Sequence, residues 1–115
     1  SSTVATLLPG TAYFLGKPLA DARKFLDSGC KVAIASDYNP GSCHCDNLLL
    51  IASISAKNLD MNIAELWSAL CLNSAHALDL KNQGVIKKGF SPRFSIFKCN
   101  SIDEITYSWG RNFSV

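Results

Sequence analysis

The residues whose types and spacing could do chemistry are concentrated in one stretch, Val32 to Ser42, which reads VAIASDYNPGS. Four apolar residues rich in β-branching, Val32 to Ala35, lead through Ser36 to Asp37, and an Asn-Pro-Gly turn follows after Tyr38. A buried strand that delivers a carboxylate to a loop is where parallel α/β folds assemble their sites, and such a group can bind a metal or move a proton. Capping of a turn or helix accounts for the same acid equally well. Asn39 offers an amide that both donates and accepts, and Ser42 adds a hydroxyl. Pro40 fixes its own backbone angle, while Gly41 permits a conformation closed to other residues. Together they can hold a small polar or anionic ligand on exposed N–H groups, or they can form a plain tight turn.

Cys43-His44-Cys45 supplies good zinc-ligand types. Its spacing is poor for a structural site, because no second CxxC or HxxxH pairs with it. His76 lies on an apolar helical stretch near Asn73 and reads as a packed histidine. No nucleophile-base arrangement, GxGxxG or GxxxxGK[ST] occurs in the chain.

The elements that must position Asp37 follow from the apolar pattern. Val4 to Leu8 reads as a first strand stopped by a Pro9-Gly10 turn. Pro18 suits a first helical position, Leu19, Ala22, Phe25 and Leu26 recur at helical spacing, and Gly29 supplies the stop. Lys31 to Ser36 reads as a second strand, and its unbroken apolar run suits a parallel sheet covered on both faces. Asp46 to Ala56 reads as a helix capped by Asp46 or Asn47. Asn62 and Glu65 form a capping-box pair, after which Ile63, Leu66, Trp67, Leu70, Cys71 and Leu78 keep helical spacing until Gly84. Short strands are expected at Val85-Ile86 and at Phe94 to Phe97. The tail from Ile102 to Val115 fits strand and short helix alike.

The expectation is an α/β fold with residues 1–82 as one segment and 83–115 as a β-rich segment. At 115 residues, with 48% hydrophobic and 17% charged content, the chain can bury a core and holds at most one domain. Its 11 basic and 9 acidic residues leave a formal charge of +2 without a basic stripe, which gives no footprint for nucleic acid. No apolar run approaches the ~20 residues that span a bilayer, so no membrane partner is expected. The start, SSTVATLLPG, has no basic n-region, and the chain reads as a piece of something longer. Five scattered cysteines without a framework spacing suggest a reduced, cytoplasmic setting.

Four motifs, LLPGTAYFLG, VAIASDYNPGS, NSAHALDL and ITYSWGRN, give nearly the whole chain a resemblance to the C-terminal part of the imidazolonepropionase family within the amidohydrolase superfamily. That resemblance implies a metal-dependent (β/α)₈ hydrolase barrel, of which this chain supplies the last two strand-helix units, followed by short strands of a small β-sandwich. It implies one zinc or iron ion, with Asp37 as a metal ligand that also carries a proton from water to the leaving nitrogen. Asn39 and Gly41 would contact the carboxylate-bearing substrate or product, and Ser42 the substrate. The implied reaction is hydrolysis of the ring C–N bond of 4-imidazolone-5-propanoate to N-formimino-L-glutamate in histidine degradation. The family's His-x-His pair, later histidines and catalytic glutamate lie outside this sequence, so the isolated chain is expected to bind no metal and to be inactive. His44 stands where the family commonly has Pro, and Gly89-Phe90-Ser91-Pro92-Arg93-Phe94 replaces the family's Gly-Lys-x-Ala-Asp-Leu. A non-catalytic small-carboxylate-binding module and another amidohydrolase acting on a cyclic amide are the alternatives. Uncovered barrel faces would also favour homo-oligomers or self-association.

Overall fold

The computed structural model describes residues 2–115 and shows a mixed α/β fold built on a two-stranded parallel sheet. Strand β1, Val4–Leu7, pairs with β2, Lys31–Ile34, in the register Val4↔Lys31 through Leu7↔Ile34. A parallel pair needs a crossover. Helices α1 (Pro9–Phe14) and α2 (Ala22–Asp27) lie within that connection. Both strands therefore end on the same side, where Leu8 and Ala35 leave the sheet.

Pro9-Gly10 starts a helix where the sequence predicts a turn. Proline at the first helical position loses no hydrogen bond, and Ala12 N–H closes the first turn on Leu8 C=O at 3.2 Å. Gly10 is buried because α1 closely crosses the helix at Leu48–Asn58, α3. A Cβ there would lie 2.6 Å from Ile51 Cδ1 and 3.0 Å from Cys43 Sγ. Helix α2 begins later than Pro18 suggests, since the Asp21 side chain accepts from Lys24 N–H and sets the cap.

Helix α3 (Leu48–Asn58) is capped by Asn47, whose side chain accepts from Leu49 and Leu50 N–H. Its inner face buries Ile51 and Ala52, and Ile51 joins Leu7, Val32, Ile34, Leu59, Met61 and Leu66 in the core. Buried Ser53 and Ser55 satisfy their hydroxyls on the α3 carbonyls of Leu49 and Ile51. The predicted capping box at Asn62 and Glu65 opens α4 (Ile63–Leu70).

The long helix expected through Leu78 breaks at Cys71 (φ −115°, ψ −80°), and α5 (Leu72–Ala77) follows. Ser74 Oγ donates to Ala69 C=O at 2.8 Å across the break, and Asn73 Nδ2 reaches Val32 C=O on β2 at 2.8 Å. Partial desolvation beside the break pushes the thiol of Cys71, an exposed residue, upward.

Residues 85–96 form no strand. Ser91 N–H bonds Asn82 C=O at 2.8 Å and Phe90 N–H bonds Lys87 C=O at 3.0 Å, which folds 82–91 into turns. Only an isolated antiparallel bridge, Phe97↔Ser114, remains of the strand expected at Phe94 to Phe97. The tail instead carries α6 (Ile102–Tyr107), which packs on α3 and buries Ile105, while Phe113 is buried beyond it. Among the described residues no helix is long and apolar enough to cross a membrane.

Candidate functional site

The backbone bond from Ala35 N–H to Leu7 C=O at 3.1 Å is the last rung between the strands, and Ser36 then leads into Asp37. Asp37 has φ 53°, in the left-handed region that non-glycine residues rarely occupy. Aspartate tolerates it better than most side chains. Its carboxylate is exposed and accepts from Thr11 Oγ1 at 2.9 Å. Thr11 stands in the first turns of α1, so the exits of both strands converge on one carboxylate.

The loop beyond Asp37 is braced by Asn39. Its Oδ1 accepts from Gly41 N–H at 2.9 Å and Ser42 N–H at 2.8 Å, while its Nδ2 donates to Asp37 C=O at 2.6 Å and to Ser42 Oγ at 3.0 Å. Asn39 N–H closes the loop on Cys43 C=O at 2.9 Å. The N–H groups that could face an anion are thus turned inward onto Asn39. Gly41 does not take a positive φ, because these bonds hold the turn in an ordinary conformation; the left-handed position falls at Asp37 instead.

The Cys43-His44-Cys45 side chains diverge. Cys43 is buried against α1, whereas His44 is exposed and bonds Tyr38 through Nε2 at 2.8 Å, with the two rings stacked 5.1 Å apart. His76 is exposed rather than packed, and its Nδ1 lies 3.2 Å from Lys31 Nζ. Among the described residues no three His, Cys, Asp or Glu side chains come together as a metal-binding group. A catalytic zinc site takes three protein ligands and an open position. Asp37 alone does not meet that demand, so these residues do not by themselves fit such an ion.

What the arrangement can do is accept and return a proton at an exposed, oriented carboxylate. His44 was legible in the sequence only as a metal-ligand type, and Thr11 and Tyr38 carried no role there. Thr11 was signalled by its place just after Pro9-Gly10: with that dipeptide read as a helix start, a hydroxyl at the end of the neighbouring parallel strand falls beside Asp37.

The class of protein follows from comparison with known families. Residues 3–115 match the Amidohydrolase family, and the chain belongs to it. At finer grain it is 43% identical over 113 residues to imidazolonepropionase of Staphylococcus saprophyticus subsp. saprophyticus, covering 97% of this chain and 27% of that protein. The same coverage holds for imidazolonepropionase of Staphylococcus aureus at 42% identity and of Thermoanaerobacter pseudethanolicus at 39%. The chain therefore spans about a quarter of the length of the curated relatives it matches, 27% in each case.

Proposed function

We propose that this chain supplies the strand-end carboxylate of a cyclic amidohydrolase that hydrolyses the ring C–N bond of 4-imidazolone-5-propanoate to N-formimino-L-glutamate. The observation that carries the reading is the placement of Asp37: it follows the second of two parallel strands, and Thr11, beyond the first, bonds its carboxylate. Relatives named imidazolonepropionase supply the substrate in this reading. In the reaction water adds across the ring C–N bond. Asp37 takes a proton from the attacking water and returns it to the departing ring nitrogen, so its own protonation state is restored.

Asn39, Gly41 and Ser42 are assigned to the wall that meets the carboxylate-bearing substrate, with Asn39 also bracing that wall from within. Barrel closure, the sandwich, the remaining donors for zinc or iron, and a cytoplasmic setting belong to the same proposal. Exposed Tyr13, Phe14, Tyr107 and Trp109 favour self-association of the 115-residue chain, which sedimentation velocity would show as a coefficient rising with concentration. A sedimentation coefficient independent of concentration would contradict it.

The test is a chimera in which residues 1–115 replace the matching segment of the Staphylococcus saprophyticus relative. It should open the imidazolone ring, and Asp37→Asn should lower turnover by about 10²–10⁴-fold, the usual contribution of a proton-transfer group. A folded chimera that is inactive, or one that keeps full turnover as Asp37→Asn, would overturn the proposal. The second reading, a module that binds a small carboxylate without catalysis, would need the Gly41 and Ser42 N–H groups that Asn39 Oδ1 holds. Calorimetric titration of the isolated chain with glutamate separates the two: binding lost in Asn39→Ala supports the module.

A further inference from the structure

Asp37 takes a left-handed backbone conformation at the point where its carboxylate meets Thr11. Aspartate visits this region more readily than most residues, as Asp60 and Asp79 do at φ 49° and 53°, but the conformation is still uncommon and is fixed at Asp37 by its contacts. Two restraints on it are already described, the Thr11 hydroxyl on the side chain and the Asn39 amide on the carbonyl. A third acts on the next residue. Tyr38 is 55% exposed, yet its ring is not free: its hydroxyl lies 2.8 Å from His44 Nε2, and the two rings stack at 5.1 Å with an interplanar angle of 23°. The backbone bond from Asn39 N–H to Cys43 C=O lies between them, so the Tyr38–His44 contact closes the outside of the hairpin that this bond closes on the inside.

We propose that Tyr38 and His44 form a positioning pair that holds the Asp37 backbone in its left-handed conformation and so keeps the carboxylate on Thr11. Tyr38 follows Asp37 directly, so anchoring its ring to His44 restricts the Asp37 ψ and Tyr38 φ torsions on either side of the planar peptide that joins them. Release of the ring frees that peptide, and Asp37 then relaxes toward the ordinary regions of backbone space. Cys43 contributes a fixed base to the lever: it is buried against α1, which prevents His44 from moving with Tyr38. The importance of the pair for turnover rests on the reading of Asp37 as the reactive carboxylate; its geometric role does not.

The experiment reads geometry without turnover, so failure here is distinguishable from failure of the proposed reaction. Nuclear magnetic resonance of the 115-residue chain at one fixed pH reports the Asp37 backbone through its amide-to-α coupling and Cα shift, and the carboxylate through its carbonyl carbon shift. Tyr38→Phe and His44→Ala should each move all three signals toward averaged values while the β1 and β2 resonances stay in place. His44→Gln, whose amide can still bond a phenol, should restore the wild-type values. Unchanged Asp37 signals in both Tyr38→Phe and His44→Ala would overturn the proposal, as would failure of His44→Gln to restore them. Both side chains are exposed, so neither substitution reaches the core.

Discussion

Thr11 Oγ1 donates to Asp37 Oδ2 at 2.9 Å, joining the first turns of α1 to the loop after β2 across 26 residues of sequence. Thr11→Val keeps the branched shape and removes the donor. The expected loss is about 0.5–1.5 kcal/mol of stability, the net contribution of one hydrogen bond. Urea denaturation checks it. In the chimera the same change should lower turnover less than Asp37→Asn does, because the carboxylate itself remains.

Asn39 bonds four groups of its own loop, so Asn39→Ala and Asn39→Asp should separate. Aspartate keeps an acceptor for the Gly41 and Ser42 amides but places a charge against Asp37 C=O. Alanine loses both functions. Amide exchange at Gly41 and Ser42 should therefore accelerate strongly in Asn39→Ala and moderately in Asn39→Asp. Equal protection in wild type and Asn39→Ala would show that the brace is not needed.

Glu65 meets Arg23 in a two-pronged ion pair, with both N–O distances at 3.0 Å, and also accepts from Asn62 N–H at 2.9 Å. The Arg23 hydrogen bonds, and after them the Asn62 N–H, hold its carboxyl below the usual range. A carboxyl held low in the folded state contributes stability that is fully present above its unfolded pKa and is lost as pH falls through the folded value. The Tm of wild type should thus approach that of Glu65→Gln on acidification below the usual carboxylate range and exceed it near neutrality. A Tm gap that is the same at both pH values would refute this assignment.

Gly84 sits at φ +89°, and a Cβ there would come within 2.9 Å of Cys71 C=O, Leu72 Cα and Ala75 Cβ. Two of those atoms are backbone and cannot give way. Gly84→Ala should destabilise by about 2–4 kcal/mol, since strain and overpacking add. Gly110→Ala, at φ +82° with open space around it, carries only the backbone cost and should lose about 1 kcal/mol. Chemical denaturation of the pair would reveal equal losses if contact played no part.

Local signals made much of this fold legible. The β-branched run at Val32 to Ile34 and the Asn62-Glu65 box were readable because each is decided by neighbours in sequence. Pro9-Gly10 misled because the same dipeptide serves a turn and a helix start, and only the packing of Gly10 under Ile51 decides between them. The break at Cys71 was invisible for a related reason: the apolar period continues through it, and the partners that favour it, Ser74 on Ala69 and Asn73 on Val32, lie off the stripe. Phe94 to Phe97 has strand-forming residues, but strands need partners, and only Phe97 finds one. The place of Asp37 after a strand end was legible, whereas its contacts were not. Thr11 reaches it across the crossover, and the Tyr38–His44 pair depends on the hairpin bridge.

The strict register of β1 on β2, Leu7 opposite Ile34, sets which changes in chain length this segment can absorb over evolution. Insertions in the exposed Gly16 to Pro18 link, before Leu19 packs on the core, change neither strand and leave Asp37 beside Thr11. One residue added between Lys31 and Val32 would displace Asp37 by about 3.3 Å and move Val32 and Ile34 onto the opposite face, where only Ala33 is buried now. Related sequences should therefore vary freely in length before α2 and not at all between Lys31 and Asp37.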